Sequence, residues 1–217
     1  MRLLKAFSVK DLFRLNKKII TINIPTTGWT SVVTGTGTVV QSANYQNVTS
    51  GITTGSTSLL HDLLHGLGIG GSPAKINFDK KLDLGLNFQI AVDDATITRY
   101  VQIKQANTIG DMAVIGLGIK IANKTLYGES FGTERGEVAL GDLVVSKQYK
   151  LNIVLHPGIK IEWWLNGVLV GTQVTVATIP AGVAGANCYL VTSIANGAGA
   201  ANAYMDYGGI QIIQEAI

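Results

Sequence analysis

The chain of 217 residues is 47% hydrophobic and only 14% charged, with 26 glycines and a formal net charge of +3. This length suits one domain with one core, and a composition rich in Gly, Thr, Val and Ile favours an all-β protein over a helical one. The single cysteine, Cys188, excludes an intrachain disulfide and a cysteine-based zinc site. We expect it to be a buried apolar side chain.

The N-terminal residues differ from the rest of the chain in charge. Residues 2–18 contain many good helix formers and neither Gly nor Pro. This composition predicts a basic helical arm as a separate segment, residues 1–18. Such an arm can contact nucleic acid, an acidic membrane surface or another structural protein. The alternative is a solvated helix packed on the body. The basic residues, opposed only by Asp11, are Arg2, Lys5, Lys10, Arg14, Lys17 and Lys18.

This arm does not have the features of a cleavable signal peptide. Lys5, Lys10 and Asp11 interrupt any apolar region, and no small-residue cleavage site follows. No apolar run in the chain approaches the roughly 18 residues that a membrane-spanning helix needs. The sequence therefore predicts neither a removable leader nor a transmembrane helix.

Alternating apolar residues predict strands from residue 19 onwards. Ile20, Ile22 and Ile24 alternate with polar residues, and the clearest strand has six alternating apolar residues between Leu82 and Val92. Further strand patterns occur in TRYVQIKQ, VIGLGIKIAN, NCYLVTSIAN and GGIQIIQEAI. The exception is SLLHDLLHGLG, where an N-cap serine and a terminating glycine predict one short helix near residues 58–66.

The segment QYKLNIVLHPGIKIEWWLNGVLVGTQ predicts three strands in a meander. The dipeptide Asn166-Gly167 is a strong hairpin signal, because both turn positions need φ > 0. Trp163 shares its face with Ile161 and Leu165, so we expect it inside and Trp164 outside. An exposed tryptophan can stack on a sugar or anchor an interface. Trp164 is therefore the candidate glycan or interface residue, and the alternative is a tryptophan covered by a neighbouring loop.

This meander resembles the concanavalin-A-like lectin and glucanase jelly rolls, which include laminin-G-type modules. The likeness rests on its strand–turn–strand–NG–strand order, on the long strand in INFDKKLDLGLNFQIAVDD and on the closing IQIIQE. It covers about residues 70–217. The resemblance implies a two-sheet antiparallel jelly-roll sandwich, predicted here as a single domain over residues 19–217.

The glucanase branch of that family is tested by its acidic residues. Its members resemble one another in an E-x-D-x-x-E strand, whose paired carboxylates serve as nucleophile and general acid. No such spacing occurs in this sequence. Glu129, Glu134 and Glu137 are the nearest acidic residues, and we interpret them as solvated loop carboxylates.

A second candidate site is the histidine pair in HDLLHGLG. His61 and His65 would lie on one helix face, as in the zinc-protease motif. However, Asp62 replaces the glutamate base, and Gly71 stands where the longer motif has its third ligand. Neither a metal site, a cofactor nor a catalytic residue is predicted.

These observations favour a non-enzymatic structural protein that assembles with copies of itself. The low charge and the basic arm are typical of a virion coat or decoration protein or a surface-appendage subunit, which places the protein in a virion or an extracellular assembly. The alternative is a lectin-like carbohydrate-binding module that uses Trp164. The remote alternative is a metal-dependent hydrolase that uses His61 and His65.

Overall fold

The computed structural model describes residues 17–22, 29–41, 46–62, 76–92, 94–106, 108–182, 188–197 and 202–215. These residues form antiparallel strands and a single 3-10 turn at Val176–Thr178. The strands are β1 (Lys17–Ile22), β2 (Trp29–Thr34), β3 (Val39–Gln41), β4 (Gln46–Thr49), β5 (Gly55–Asp62), β6 (Leu82–Ala91), β7 (Ile97–Lys104), β8 (Gly116–Ala122), β9 (Thr125–Phe131), β10 (Arg135–Asp142), β11 (Gln148–His156), β12 (Lys160–Leu165), β13 (Val168–Gln173), β14 (Tyr189–Asn196) and β15 (Tyr204–Glu215).

The strands form two sheets that pack face to face, which confirms the prediction of an all-β jelly-roll sandwich. Sheet A has the order β13-β12-β11-β6-β15-β4-β3, and β1 also pairs with β15. Sheet B has the order β10-β9-β8-β7-β14-β5-β2. Alternation gives each strand one core face and one outer face. The outer faces of the two sheets are where functional side chains can lie.

The core is formed by the inward-facing residues of both sheets. In β6, the alternating residues from Leu82 to Ile90 are all buried, as the sequence predicts. Val92, the last residue of the predicted pattern, lies beyond the end of the strand and is exposed. Trp163 crosses the core from sheet A: it is fully buried, and its Nε1 donates a hydrogen bond to the carbonyl oxygen of Gly118 in sheet B at 3.2 Å. A Cβ atom at Gly128 would lie only 2.4 Å from the Trp163 ring, so the indole occupies the space above this glycine.

The short helix predicted near residues 58–66 is wrong where the structure describes it. Residues 55–62 are strand β5, which pairs with β14 on one side and β2 on the other. Backbone hydrogen bonds to two neighbouring strands outweigh the local preference of its leucines for a helix, because propensity is a weak signal beside tertiary pairing. Residues 63–66 lie outside the described part of the chain.

The boundary of the N-terminal arm also needs correction. Lys17 and Lys18 lie in β1, where they pair with Glu215 and Gln214 of β15, and not in a helix. The β-branched residues that follow favour a strand, and pairing with β15 extends that strand to include the two lysines. The helix predicted for residues 2–16 lies outside the described residues. No helical segment in the described ranges is long and apolar enough to cross a membrane.

Candidate functional sites

The outer face of sheet A carries a row of residues that crosses four adjacent strands. Trp164 of β12 is paired with Asn152 of β11, Asn152 with Gly85 of β6, and Gly85 with Gln211 of β15. Gly85 has no side chain, so the surface is depressed at β6 between the amide side chains of Asn152 and Gln211. The neighbouring indole of Trp164 stands at one end. The row therefore forms a groove bounded by an aromatic ring.

This groove contains a cavity of about 570 Å³. The carboxylate of Asp83 lies beside the row, and its Oδ1 atom is buried without a hydrogen-bond partner in the described structure. The amides of Asn152 and Gln211 also make no hydrogen bond within the described residues, and each amide can both donate and accept. A buried polar atom left without a partner is rare and unfavourable. We call this site the tryptophan cavity.

A second and larger cavity, of about 930 Å³, lies farther along the same face. Its outer row runs from Gln148 of β11 through Gln89 of β6 and Asp206 of β15 to Asn47 of β4. Asn47 Nδ2 donates a hydrogen bond to Asp206 Oδ1 at 2.6 Å. We call this site the amide cavity. The two cavities share Lys150 and Asn166 in their linings, so they adjoin each other on this face.

The outer face of sheet B carries a cluster of charged residues that we call the carboxylate cluster. Glu137 of β10 pairs directly with Glu129 of β9. Arg135 Nη2 contacts both carboxylates, at 2.9 Å from Glu129 Oε1 and 2.6 Å from Glu137 Oε2. Because both oxygens contact the same nitrogen atom, the distance between Glu129 Oε1 and Glu137 Oε2 cannot exceed the sum of those two distances. Glu129 is fully buried, whereas Glu137 is partly exposed.

Buried neighbours on β7 complete this cluster. Gln102 Nε2 donates to Glu129 Oε2 at 2.6 Å, and Lys104 Nζ donates to Gln102 Oε1 at 2.6 Å. Burial raises the pKa of the Glu129 carboxyl above its usual value, although Gln102 and Arg135 act in the opposite direction. Burial lowers the pKa of the Lys104 ammonium to about 8, with Glu129 and Asp111 acting in the opposite direction. Desolvation therefore disfavours the charged form of each group.

The loop between β7 and β8 covers the cluster. Asp111 accepts hydrogen bonds from Arg135 Nη1 at 2.8 Å and from the hydroxyl of Tyr100 at 3.2 Å. The carbonyl oxygen of Gly110 accepts a hydrogen bond from Gln102 Nε2 at 3.1 Å. In this structure the carboxylate cluster is therefore closed by contacts within the protein, while the cavities on sheet A are open.

The structure places the residues that the sequence analysis singled out in different surroundings. Trp163 is inside and the partly exposed Trp164 is outside, as predicted, and Cys188 is buried. The role of Trp164 stays a prediction. His61 belongs to β5, so the helix on which it would share a face with His65 does not form there. His65 and the basic residues Arg2, Lys5, Lys10 and Arg14 lie outside the described residues.

Sequence reasoning missed the carboxylate cluster. It treated Glu129 and Glu137 as loop residues, but they lie on two strands of one hairpin and are directly opposite each other. The signal was present in ESFGTERGE, where both glutamates are equally distant from the turn. Only Glu134, which follows the turn residue Thr133, lies outside the strands as predicted.

Comparison with known proteins identifies the fold. No family model matches the sequence, and no curated protein matches it. Among solved structures, a prokaryotic β-1,3-1,4-glucanase (lichenase) derived from a mouse hindgut metagenome matches with a TM-score of 0.62 and 11% identity, over 93% of this chain and 100% of that one.

Two further solved structures are parts of larger chains. A botulinum neurotoxin type C, whose cell entry depends on interaction with two ganglioside molecules, matches with a TM-score of 0.57 and 12% identity, over 96% of this chain and 50% of that one. A sialidase matches with a TM-score of 0.59 and 11% identity, over 86% of this chain. This chain spans only 17% of the sialidase's length.

The prediction that the protein is not an enzyme is wrong, because it excluded enzymatic activity on grounds that do not hold. It rested on the absence of the E-x-D-x-x-E spacing, but a complete glucanase chain shares this fold, and the structure brings two glutamates together that the sequence analysis had dismissed. At these identities the likeness concerns the fold alone. The chain has the jelly-roll fold of the concanavalin-A-like glucanases and lectins.

Proposed function

We propose that the protein binds glycans in the tryptophan cavity of sheet A. The observation that carries the proposal is that one cavity brings together the partly exposed indole of Trp164 and the amides of Asn152 and Gln211, which make no hydrogen bond within the described residues. A sugar ring could pack on the indole, and its hydroxyls could bond the two amides. Binding pockets typically combine an aromatic wall with a few convergent polar groups.

The surroundings of Asp83 also suit a ligand with many hydroxyls. Asn152 and Gln211, on either side of Gly85, offer amides that make no hydrogen bond in the described part of the chain. An amide can bond two adjacent hydroxyls, one as donor and one as acceptor. The neurotoxin with the same fold interacts with gangliosides, which carry glycans, and the glucanase acts on a polysaccharide. Both supply precedent for glycan recognition on this fold.

A glycan array with the Trp164→Ala variant tests this proposal. We expect the wild-type protein to bind a defined set of glycans, and the variant to lose at least about tenfold in affinity. Leu169→Ala is the matched control, because Leu169 is the cross-strand partner of Trp164 and does not line the cavity. Equal binding by the Trp164 variant, or no glycan bound by the wild type, would contradict the proposal.

Glycoside cleavage is a second candidate function, favoured by the geometry of Glu129 and Glu137. Their oxygens share Arg135, which keeps them within the separation of about 5–5.5 Å that retaining glycosidases use. A buried glutamate with a raised pKa suits a general acid, and a partly exposed one suits a nucleophile. Substrate would have to displace Asp111 and Arg135 to reach them.

Release of reducing ends from mixed-linkage β-1,3-1,4-glucan tests this second function. We expect Glu129→Gln and Glu137→Gln each to abolish release, while Glu134→Gln, a change outside the strands, leaves it intact. Wild-type protein that releases no reducing ends would remove cleavage of this glucan as a candidate, without affecting the proposal for sheet A.

Self-assembly as a virion coat or surface-appendage subunit stays a prediction from the sequence. The basic residues Arg2, Lys5, Lys10 and Arg14 support a role for the segment before β1 in contacting nucleic acid, an acidic membrane surface or other copies. Removal of residues 1–16, which leaves β1 intact, is expected to abolish assembly measured by light scattering. Unchanged particle mass would contradict a role for the arm.

A further inference from the structure

We infer that the ligand of sheet A is an extended chain of neutral sugars that occupies the tryptophan cavity and the amide cavity together. This inference rests on the proposed function, because it takes the tryptophan cavity to be a glycan site. It adds a second subsite and the class of ligand. Three features of sheet A support it: the contact between the cavities, their hydrogen-bonding groups and their charge.

The two cavities adjoin each other at a residue whose position is fixed. Asn166 belongs to both linings, and it is held to β11 by two hydrogen bonds, from its backbone nitrogen to the Lys150 carbonyl oxygen at 2.8 Å and from the Lys150 backbone nitrogen to its Oδ1 at 2.9 Å. On the floor, Asn87 lies between Lys150 on one side and Gly208 on the other. The described residues of this row, Lys150, Asn87 and Gly208, include no aromatic or β-branched side chain.

The length of this path exceeds one sugar ring. The row of the tryptophan cavity crosses β6 at Gly85, and the row of the amide cavity crosses it at Gln89. Four residues of extended strand correspond to about 13 Å at roughly 3.3 Å per residue. A single ring in either cavity would leave the other one empty. A linear chain is the ligand that can fill both.

The hydrogen-bonding groups of the amide cavity resemble those of the tryptophan cavity. Gln89 and Gln148 lie opposite each other on β6 and β11, and neither side chain makes a hydrogen bond within the described residues. Asn87 is exposed between them and the tryptophan cavity. The fixed pair of Asn47 and Asp206 closes the far end at 2.6 Å. Both cavities therefore offer neutral groups that can donate and accept.

The charge of the groove favours a neutral ligand. Among the described residues that line it, the charged side chains are Asp83, Lys150 and Asp206, against seven amides, and Asp206 is already bonded by Asn47. Lys150, the one cation among these described lining residues, lies between the two carboxylates. A chain bearing a carboxylate on every ring would meet two acids and one base. Neutral hydroxyls suit the amides better, because they need no counter-charge.

Affinity electrophoresis followed by titration tests the inference. The gels contain mixed-linkage β-1,3-1,4-glucan, β-1,4-xylan, β-1,4-mannan or β-1,4-glucuronan, the last being acidic. We expect retention by at least one neutral polysaccharide. Partial hydrolysis of the retained polysaccharide then gives a series from disaccharide to hexasaccharide, and we expect affinity to rise at least about tenfold along that series.

Variants of the two cavities separate this inference from the proposed function. The double variant Gln89→Ala/Gln148→Ala is expected to bind the hexasaccharide no better than the disaccharide, whereas Trp164→Ala weakens binding of both. Equal affinity for all lengths, or retention only by glucuronan, would overturn the inference and leave the glycan site standing. No retention by any of the four polysaccharides, with no hit on the array, would overturn both.

Discussion

The two outer faces of the sandwich differ in what their polar groups contact. On sheet B, Gln102, Lys104 and Glu129 are each at most 1% exposed and bond one another. On sheet A, the amides of Asn152 and Gln211 face a cavity without bonds in the described structure. Polar groups that form hydrogen bonds within the protein stabilise the folded state, and polar groups without such bonds are available to a ligand. The first face should therefore control stability and the second one binding.

The largest effect expected is that of Arg135→Ala on sheet B. The substitution leaves the carboxylate of Glu129 buried without its cation, so we expect the free energy of unfolding to fall by about 2–3 kcal/mol. This value is below the usual range of about 3–5 kcal/mol because Arg135 is partly exposed. Urea denaturation measures the change. Lys150→Ala on sheet A is the control, and it should change stability by less than about 0.5 kcal/mol. Equal losses of unfolding free energy in the two variants would show that the two faces do not differ in their contribution to stability.

A smaller effect is expected from the titration of Lys104. Because burial lowers its pKa to about 8 in the folded state, below the ordinary value of 10.5, the charged form is disfavoured by folding. The contribution of Lys104 to the free energy of unfolding is fully present above the pKa that its ammonium has in the unfolded chain. It is lost as the pH falls through about 8, the pKa in the folded state. We therefore expect the wild type to gain on the order of 1 kcal/mol relative to Lys104→Met when the pH rises from about 8 to about 9.5, since one pKa unit corresponds to roughly 1.4 kcal/mol.

Urea midpoints at the two pH values test this prediction. Lys104→Met retains the length of the side chain and removes its titration, so it is the reference for the pH dependence. A wild-type protein whose stability changes with pH in parallel with Lys104→Met would show that this ammonium is not desolvated. The cluster on sheet B would then be more hydrated than its burial indicates.

The smallest stability effect is expected at Asp83 on sheet A. Asp83→Ala removes a buried oxygen that has no hydrogen-bond partner in the described structure, so we expect stability to stay unchanged or to rise by about 1 kcal/mol. Glycan binding should fall in the same variant. Calorimetry of binding and urea denaturation of the same preparation measure the two effects. Loss of stability in Asp83→Ala would indicate a structural role and weaken the contrast.

The sequence predicts the sandwich well because its strongest signals are local. The alternation from Leu82 to Ile90 and the hairpin at Asn166-Gly167 each define a strand or a turn without reference to the rest of the chain. The opposite orientations of Trp163 and Trp164 follow from the same alternation. These are the positions where local pattern and final fold agree.

The sequence predicts the candidate sites poorly because they depend on pairing between distant strands. Asp206 meets Asn47 across a separation of 159 residues, and no local pattern indicates that contact. The wrong helix at residues 58–62 has the same origin. Its leucines and N-cap serine favour a helix locally, but β14 and β2 supply partners on both sides that only the assembled sheet provides.

The contact between Trp163 and Gly128 has a consequence for how related sequences can vary. Any side chain at residue 128 would overlap the indole, since even a Cβ atom comes within 2.4 Å of it. The two positions therefore constrain each other across the core. Homologues that replace the glycine should carry a smaller residue in place of the tryptophan, and those that keep the tryptophan should keep the glycine. Such paired replacement would identify distant relatives whose remaining sequence has diverged beyond recognition.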